Sequence, residues 1–390
     1  MARVFNDRLK KPNLNLESIY LAVLFSCVSL FNYSTIIFNE VVNVIHLCLE
    51  YLIFAFIALI ALIKLYKHDR NTKILAGVVF LWGLLVLACS KNDRMITISV
   101  LIFSLRDCDK EEFLKKSYQG LLITFLLMIS VYASGLLGYE FHTRGTVIRD
   151  TMGFVSATIS SSILFFVILL GIYISKNRLS ILNMAIYLVG AVALYLLTDT
   201  RVSFALSVLT ILSVFLLKIN YNMTAKKCIK WLCVSVPVLV LGVTALLTVL
   251  QSFDIAFINK INDMLSGRLY LNNRALSVEG ISLFGREIVW VDSGAYYGID
   301  MCFPHILFNY GLVSLIVVYL CVILYTKHEV NKFNIYMMLV LTMITIGGFV
   351  EPYWINYQYN PFILMAGMTT IKINNVDYTA LTFRREMVRR

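Results

Sequence analysis

Long runs of apolar residues, separated by short polar segments, constrain the fold of this chain more than any other feature. Of its 390 residues, 59% are hydrophobic and only 15% are charged. Soluble domains carry about 25% charged residues, so a chain of this composition cannot form one water-facing globule. The sequence therefore predicts an all-α, polytopic transmembrane helix bundle. We treat it as a single transmembrane domain over residues 1–390.

Twelve segments qualify as membrane spans, because a spanning helix needs about 20 mostly apolar residues. The fourth segment is short, and we expect it to be tilted or broken. The predicted spans are 18–38, 41–64, 74–90, 95–105, 118–138, 153–175, 180–198, 202–219, 228–252, 303–325, 333–350 and 354–371.

The distribution of Lys and Arg predicts the orientation of the bundle. With the N-terminus inside, the inner segments hold 25 of these residues and the outer segments hold 9, which accounts for all 34. This bias follows the positive-inside rule and predicts that both termini are cytoplasmic. Because the basic residues are scattered between apolar runs, nucleic acid is not expected as a partner.

Cysteine spacing and the N-terminal segment exclude two further features. The eight cysteines form no CxxC pair and no Cys/His ligand spacing, so we expect no metal site and no cofactor. Residues 1–11 are charged and lack a short apolar core, so we expect no cleaved signal peptide.

The longest hydrophilic segment, residues 253–302, is predicted to be a large extracytoplasmic loop that carries short amphipathic helices. Asp254 can cap such a helix, and Gly267 is placed to end it. The helix lies on the membrane interface, covers a site, or does both. Its apolar residues repeat at a spacing of three to four: Phe257, Ile258, Ile261, Met264 and Leu265.

The outer segments differ from the inner ones in the kind of basic residue. They hold seven Arg and two Lys, whereas the inner segments hold nine Arg and sixteen Lys. The planar guanidinium binds phosphate or carboxylate through two hydrogen bonds, so this bias predicts an anion site at the outer face. Alternatively, each Arg pairs with a nearby acid, as Arg201 can with Asp199. The outer basic residues are Lys91, Arg94, Arg144, Arg149, Arg201, Lys260, Arg268, Arg274 and Arg286.

A second polar group lies inside the second span. Asn43, His46 and Glu50 share one helix face. Ionisable residues within a span usually face the bundle interior and mark function. We consider two interpretations: the group holds two helices together, or it lines a groove for a lipid.

Several short motifs occur in order between residues 145 and 365. Arg149 is followed by Gly153-Phe154, and Thr198-Asp199-Thr200-Arg201 opens an apolar run. Further along are Leu265-Ser266-Gly267-Arg268 and Leu283-Phe284-Gly285. An Asp300…Asn309-Tyr310-Gly311 segment follows, and then Glu351-Pro352 and Asn360-Pro361. Arg274 and Gly285 fit an Arg-x10-Gly spacing.

These motifs resemble those of the Wzy family of bacterial O-antigen, capsule and exopolysaccharide repeat-unit polymerases. They occur in the same order and are predicted to lie on the same, outer side of the membrane. The chain departs from the family at Val155-Ser156, where a Pro-Asn pair is usual, and at Phe303, where Tyr is usual. The resemblance implies a metal-independent glycosyltransferase of the multispan C type in the bacterial plasma membrane. Its substrates would be glycans linked to undecaprenyl pyrophosphate, and membrane lipid and a chain-length regulator protein would be its other partners.

If the resemblance holds, the enzyme moves a growing glycan from one carrier onto a second lipid-linked repeat unit. We predict that Arg201 and Arg268 hold the pyrophosphate and that Asp300 or His305 handles the acceptor hydroxyl. These four form the predicted catalytic set. The predicted substrate-binding residues are Arg144, Arg149, Arg201, Arg268, Arg274 and Glu351.

Two other functions share much of this pattern. A ligase that moves finished glycan onto another acceptor would have a similar architecture. A flippase for lipid-linked units can also have twelve spans, but its polar residues should lie near the bilayer midplane on broken helices.

Overall fold

The computed structural model describes residues 14–35, 39–136, 141–144, 147–219, 223–288, 291–292, 295–296 and 298–371. Within these ranges the chain is mostly α-helical, as predicted. Nine helices of the described part are long and apolar enough to cross a membrane, and three shorter apolar helices accompany them.

The described residues of the first half of the chain form seven helices and one hairpin. A 3-10 turn, Leu30–Tyr33, follows the first helix. The elements are α1 Leu14–Ser29, α2 Glu40–Lys67, α3 Arg70–Ser90, α4 Arg94–Leu105, α5 Lys110–Ala133, the antiparallel strands β1 Phe141–Arg144 and β2 Val147–Asp150, α6 Ala157–Ser175 and α7 Ile181–Thr198.

The second half contains seven more helices and a second short hairpin. Its elements are α8 Arg201–Ile219, α9 Met223–Leu250, α10 Ala256–Met264, α11 Arg268–Val278, β3 Val291–Asp292, β4 Ala295–Tyr296, α12 Cys302–Asn331, α13 Ile335–Gly347 and α14 Phe362–Ile371. A 3-10 turn, Tyr353–Ile355, lies between α13 and α14.

Several helices begin where a short polar side chain caps the first turn. Asp69, Asp109 and Ser180 each accept a hydrogen bond from a backbone N–H three residues on. Such caps satisfy donors that have no partner within the helix. Helix α6 occupies the centre of the bundle, and 78% of its most apolar 18-residue stretch is buried.

Contacts between distant segments place alternate connections at one end of the bundle. Thr35 N donates to Gly153 O at 2.9 Å, and Cys302 N donates to Gly348 O at 2.9 Å. Arg94 contacts Asn356 at the same end. We call this end, at which α4, α6, α8 and α12 begin, the arginine end. It gathers the described residues of the connections predicted to face outwards.

The remaining connections meet at the opposite end. There Lys64 Nζ donates to Ser104 O at 2.6 Å, and Lys176 pairs with Glu111 at 2.7 Å. The separation of the two sets matches the alternation expected of consecutive spans.

Three predictions about local structure are wrong. Asp254 does not cap α10: it has φ +50° and ends the preceding 3-10 turn, and the cap position is Ile255. The last predicted span, 354–371, is helical only from Phe362, because Asn360 Nδ2 bonds to Tyr353 O and stabilises a turn instead. The start of the first span was also displaced, since α1 begins at Leu14.

Helix α12 is continuous in the sequence prediction but interrupted in the structure. Gly311 has φ 88° and ψ 171°, so the backbone leaves the helical conformation there. The first half, up to Tyr310, and the second half, from Leu312, are two helical segments.

Candidate functional site

A cavity of about 690 Å³ opens at the arginine end. It lies between the starts of α6 and α8, the turn between α10 and α11, and the segments that flank α12 and α13. Its charged lining residues are Arg149, Arg201, Arg268, Asp300 and Glu351, and its hydroxyl-bearing ones are Ser156, Thr158, Thr200, Ser203 and Ser266.

Arg268 lies at the centre of the charged residues. Its Nη2 is 3.2 Å from Asp300 Oδ2 and 3.1 Å from Glu351 Oε1. Its Nη1 donates to Leu265 O at 3.2 Å. The side chain is only 12% exposed, and its Nε has no hydrogen-bond partner in the structure. We call Arg268, Asp300 and Glu351 the charged cluster.

The two carboxyl groups of the charged cluster hold protons more tightly than usual. Burial raises the pKa of Glu351 to about 7, and the nearby Asp300 charge contributes in the same direction while Arg268 opposes it. Burial also raises the pKa of Asp300, again against Arg268. A carboxyl group with a pKa near neutrality can accept and release a proton at working pH.

Local backbone geometry brings Arg268 to the cavity. Ser266 and Gly267 have φ values of +57° and +82°, which turn the chain sharply after α10. Arg268 is therefore the first residue of α11. Asp300 lies just before Met301, which occupies the cap position of α12. The Asp300 carboxylate pairs with Arg268.

Arg201 and Arg149 also line the cavity. Arg201 is the first residue of α8, its side chain is 66% exposed, and its Nε lies 3.5 Å from Asp199 Oδ1. Arg149 Nε donates to Thr198 O at 2.7 Å, which ties β2 to the end of α7. Arg201 and Arg268 therefore do pair with nearby acids, as the alternative interpretation of the outer arginines expects.

Among the predicted site residues whose side chains are described, His305 and Arg274 are not part of the cavity lining. His305 Nδ1 is 2.6 Å from Ile299 O, so the imidazole holds the backbone next to Asp300. Arg274 lies in α11, about one and a half turns beyond Arg268. Arg144 belongs to β1, and its side chain lies outside the described residues.

The structure adds a network of hydroxyl groups that the sequence analysis missed. Ser161 bonds to Thr198 at 3.1 Å and also to Thr200. Ser203 lies 3.1 Å from the Tyr353 hydroxyl. Thr200 and Ser203 are 4% exposed and line the deep part of the cavity. The clustering of Ser and Thr in the first turns of α6 and α8 was the available sequence signal.

Arg94 has a different role from the arginines of the cavity. Its guanidinium donates to Asn356 Oδ1 at 2.8 Å and to the Tyr33 hydroxyl at 3.0 Å. It thereby connects α4 with the turns that follow α1 and α13. Arg286, at the same end, pairs with Glu279 at 3.7 Å. Neither arginine lines the cavity.

The polar group of the second span contacts α1 and the turn that follows it. Ser29 Oγ and Asn32 Nδ2 donate to the carboxylate of Glu50 at 2.5 and 2.9 Å. His46 Nε2 lies 2.9 Å from Val28 O. These contacts favour the interpretation that the group holds two helices together.

The cavity can bind an anion near its exposed arginines and exchange a proton at its carboxyl groups. Among the described residues, no group of three or more His, Cys, Asp or Glu side chains is placed to hold a metal ion. Comparisons of the chain with protein-family models, curated proteins and solved structures find no match. The resemblance to the Wzy family therefore stays a prediction, and the function is argued from the cavity.

Proposed function

We propose that this chain is a glycosyltransferase that polymerises lipid-linked glycan repeat units at the outer face of the bacterial plasma membrane. The observation that supports this most is the cavity at the arginine end, which Arg201 and Arg149 line together with the charged cluster. A pyrophosphate leaving group requires preorganised positive charge. An attacking hydroxyl group requires a proton acceptor. The cavity has side chains of both kinds.

On the donor side, Arg201 and Arg149 bind the pyrophosphate of the undecaprenyl carrier. Negative charge builds up on the pyrophosphate as its bond to the sugar breaks. Guanidinium groups already in place stabilise that charge without rearrangement, and one such donor is typically worth about 100-fold to 1,000-fold in rate. Arg268, which also lines the cavity, adds its positive charge.

On the acceptor side, Glu351 takes the proton from the terminal hydroxyl of the second lipid-linked unit. The hydroxyl oxygen forms a bond to the anomeric carbon, and the bond from that carbon to the pyrophosphate oxygen breaks. The lipid pyrophosphate leaves as an anion. Because the pKa of Glu351 is about 7, the group is substantially ionised at neutral pH and can still return the proton.

The proposal includes a membrane arrangement with twelve spans and both termini in the cytoplasm. The nine long helices and three shorter apolar ones supply enough segments for it. A reporter domain that is active only on the outer side of the membrane, fused after residue 198 or after residue 219, tests this arrangement. Signal after 198 and none after 219 is expected, and the reverse result would contradict it.

A flippase is the competing function of a different class. The break in α12 at Gly311 favours it, since broken helices are typical of transporters. However, the charged cluster lies at the end of the bundle. The backbone N–H groups just after the break donate hydrogen bonds to backbone carbonyls of the large loop. Both features fit an enzyme better.

A gel of lipid-linked and surface glycan from a strain without this gene tests the proposal. The strain is complemented with the wild type, with Arg268→Ala, or with an empty vector. We expect the empty-vector strain and the Arg268→Ala strain to export single units and to show no ladder. Full-length polymer that stays on the carrier would identify a ligase, and units retained on the cytoplasmic side would identify a flippase.

A further inference from the structure

Two glycines from distant parts of the chain lie backbone against backbone. Gly285 in the large loop and Gly311 in α12 have φ values of +83° and +88°, a region that favours glycine. A Cβ atom on Gly285 would lie 2.8 Å from the carbonyl carbon of Asn309. One on Gly311 would lie 2.5 Å from the carbonyl carbon of Leu283. No side chain fits at either position, and we call this contact the glycine crossing.

The glycine crossing occupies the break in α12. Leu312 N donates to Ser282 O at 2.9 Å, and Val313 N donates to Leu283 O at 3.1 Å. Within a continuous helix these amides would bond to carbonyls of the preceding turn. In a spanning helix, backbone groups without partners are costly. The loop carbonyls therefore stabilise a break that the helix could not sustain alone.

The crossing connects the chain that follows α11 with α12, and these two elements lie next to Arg268 and Asp300 of the charged cluster. Helix α11 begins with Arg268 and continues into the loop that contains Gly285. The first half of α12 follows Asp300 directly. The two helices are also held together by Asn272, whose Nδ2 lies 2.8 Å from Met301 Sδ, and by a small apolar cluster: Ala275, Ile288, Ile299 and Phe308.

We propose that the glycine crossing positions Arg268 and Asp300 against Glu351. The crossing fixes the loop after α11 against both halves of α12. Cys302 N, which donates to Gly348 O, holds the start of α12 beside the segment that carries Glu351, so that the three charged groups meet at one place. Gly285 and Gly311 are positioning residues, since neither lines the cavity. Treating the charged cluster as catalytic rests on the proposed function, whereas the positioning itself does not.

The test compares two alanine substitutions in the same loop. Gly285→Ala places a methyl group against the backbone of α12. Gly280→Ala is the matched control, because Gly280 also has a positive φ (+65°) but a Cβ there would meet nothing within 4 Å. The readout is the protonation of Glu351 in the purified full-length protein. It is followed by infrared difference spectroscopy and assigned with Glu351→Gln.

We expect the titration midpoint of Glu351 to stay at about 7 in the wild type and in Gly280→Ala. In Gly285→Ala, entry of water and displacement of Asp300 remove the two largest causes of the raised pKa, and they outweigh the opposing loss of Arg268. The midpoint should therefore fall by at least one unit, towards the ordinary value of about 4.3. The polymerisation rate should fall about 100-fold, as expected for a misplaced reacting group.

A second variant decides the matter if Gly285→Ala does not fold. Leu312→Pro removes the N–H that donates to Ser282, and proline is tolerated at the first position of a helix. A lowered midpoint in Leu312→Pro supports the proposal. An unchanged midpoint in a folded variant, or an equal shift in Gly280→Ala, overturns it. If the midpoint moves but the gene has no effect on the glycan ladder, the positioning stands and the proposed function fails.

Discussion

Glu351 at the arginine end and Glu50 in α2 are both acids surrounded by helices, but their partners differ in charge. Glu351 contacts the guanidinium of Arg268 at 3.1 Å and lines a cavity of about 690 Å³. Glu50 accepts hydrogen bonds from the neutral groups of Ser29 and Asn32 and does not line that cavity. From the sequence, both regions were candidates for function.

The difference shows what distinguishes a chemical site from a structural contact in this bundle. Ser29 and Asn32 satisfy both oxygens of the Glu50 carboxylate, and a satisfied polar network stabilises the packing of two helices. At Glu351 the ionised partner is itself shared with Asp300, and the group faces a space that can hold a ligand. Perturbed carboxyl groups that face a cavity are typical of functional sites.

The largest expected effect is that of Glu351→Gln on the polymerisation rate. Loss of the proton acceptor should lower the rate about 100-fold to 10,000-fold. The wild-type rate should rise with pH through about 7, the pKa of Glu351, because the base becomes ionised. Initial rates in membrane vesicles, taken at pH values on either side of 7, measure the loss of rate and the pH dependence. Glu279→Gln, which alters an acid paired with Arg286, is the control. If Glu351→Gln kept the rate and the pH dependence of the wild type, the base would be another residue.

Replacing Arg268 or Arg201 by Lys should lower the rate by about 100-fold. The charge remains, but the fork that makes two hydrogen bonds is lost. Ladder length on a gel and initial rate in vesicles give the result. Arg286→Lys is the matched control, because Arg286 does not line the cavity, and its ladder should be of normal length. Full-length polymer with both Lys variants would exclude a role for these arginines in pyrophosphate binding.

The raised pKa of Glu351 also predicts how stability depends on pH. Folding favours the protonated form, so its stabilising contribution is complete below the unfolded value of about 4.3 and is lost as pH rises through about 7. Each unit of pKa difference corresponds to about 1.4 kcal/mol. Thermal unfolding in detergent should therefore show a Tm that falls between these pH values in the wild type. Glu351→Gln should lack this part of the decline, and parallel curves would contradict the assignment.

The smallest expected effect on activity is that of the double variant His46→Ala, Glu50→Gln. These side chains hold α1 against α2, so we expect a loss of about 1–3 kcal/mol in stability, the usual cost of disrupted buried hydrogen bonds. The ladder should keep its normal length. Thermal unfolding and a gel of the same strain measure the two quantities. A lost ladder in a stable, well-expressed double variant would place function in this region too and would end the contrast with Glu351.

Much of the fold was predictable because the signal is local. Helices α2, α7 and α8 begin and end within a few residues of their predicted bounds, since their apolar runs stop at charged or capping residues. The turn before α14 was not predictable. The apolar and aromatic composition of residues 354–359 resembles that of a span, and only the hydrogen bond from Asn360 to Tyr353 reveals a turn.

The candidate site was predictable as a set of residues but not as an arrangement. Arg201, Arg268, Asp300 and Glu351 were each proposed from their type and predicted side, and all four line the cavity. The sequence favoured Asp300 or His305 over Glu351 for the acceptor. In the structure His305 binds the backbone of Ile299, whereas Glu351 meets Arg268 across 83 positions of the chain.

The sequence by itself determined that this chain is a bundle of apolar helices with arginines concentrated in one set of connections. Apolar runs and charges have the same preference for lipid or water whatever their neighbours are, so composition along the chain is enough. Only the tertiary structure decided which carboxylates meet Arg268, and it alone revealed that Gly285 and Gly311 touch. Such contacts depend on how distant segments pack, and short motifs do not contain that information.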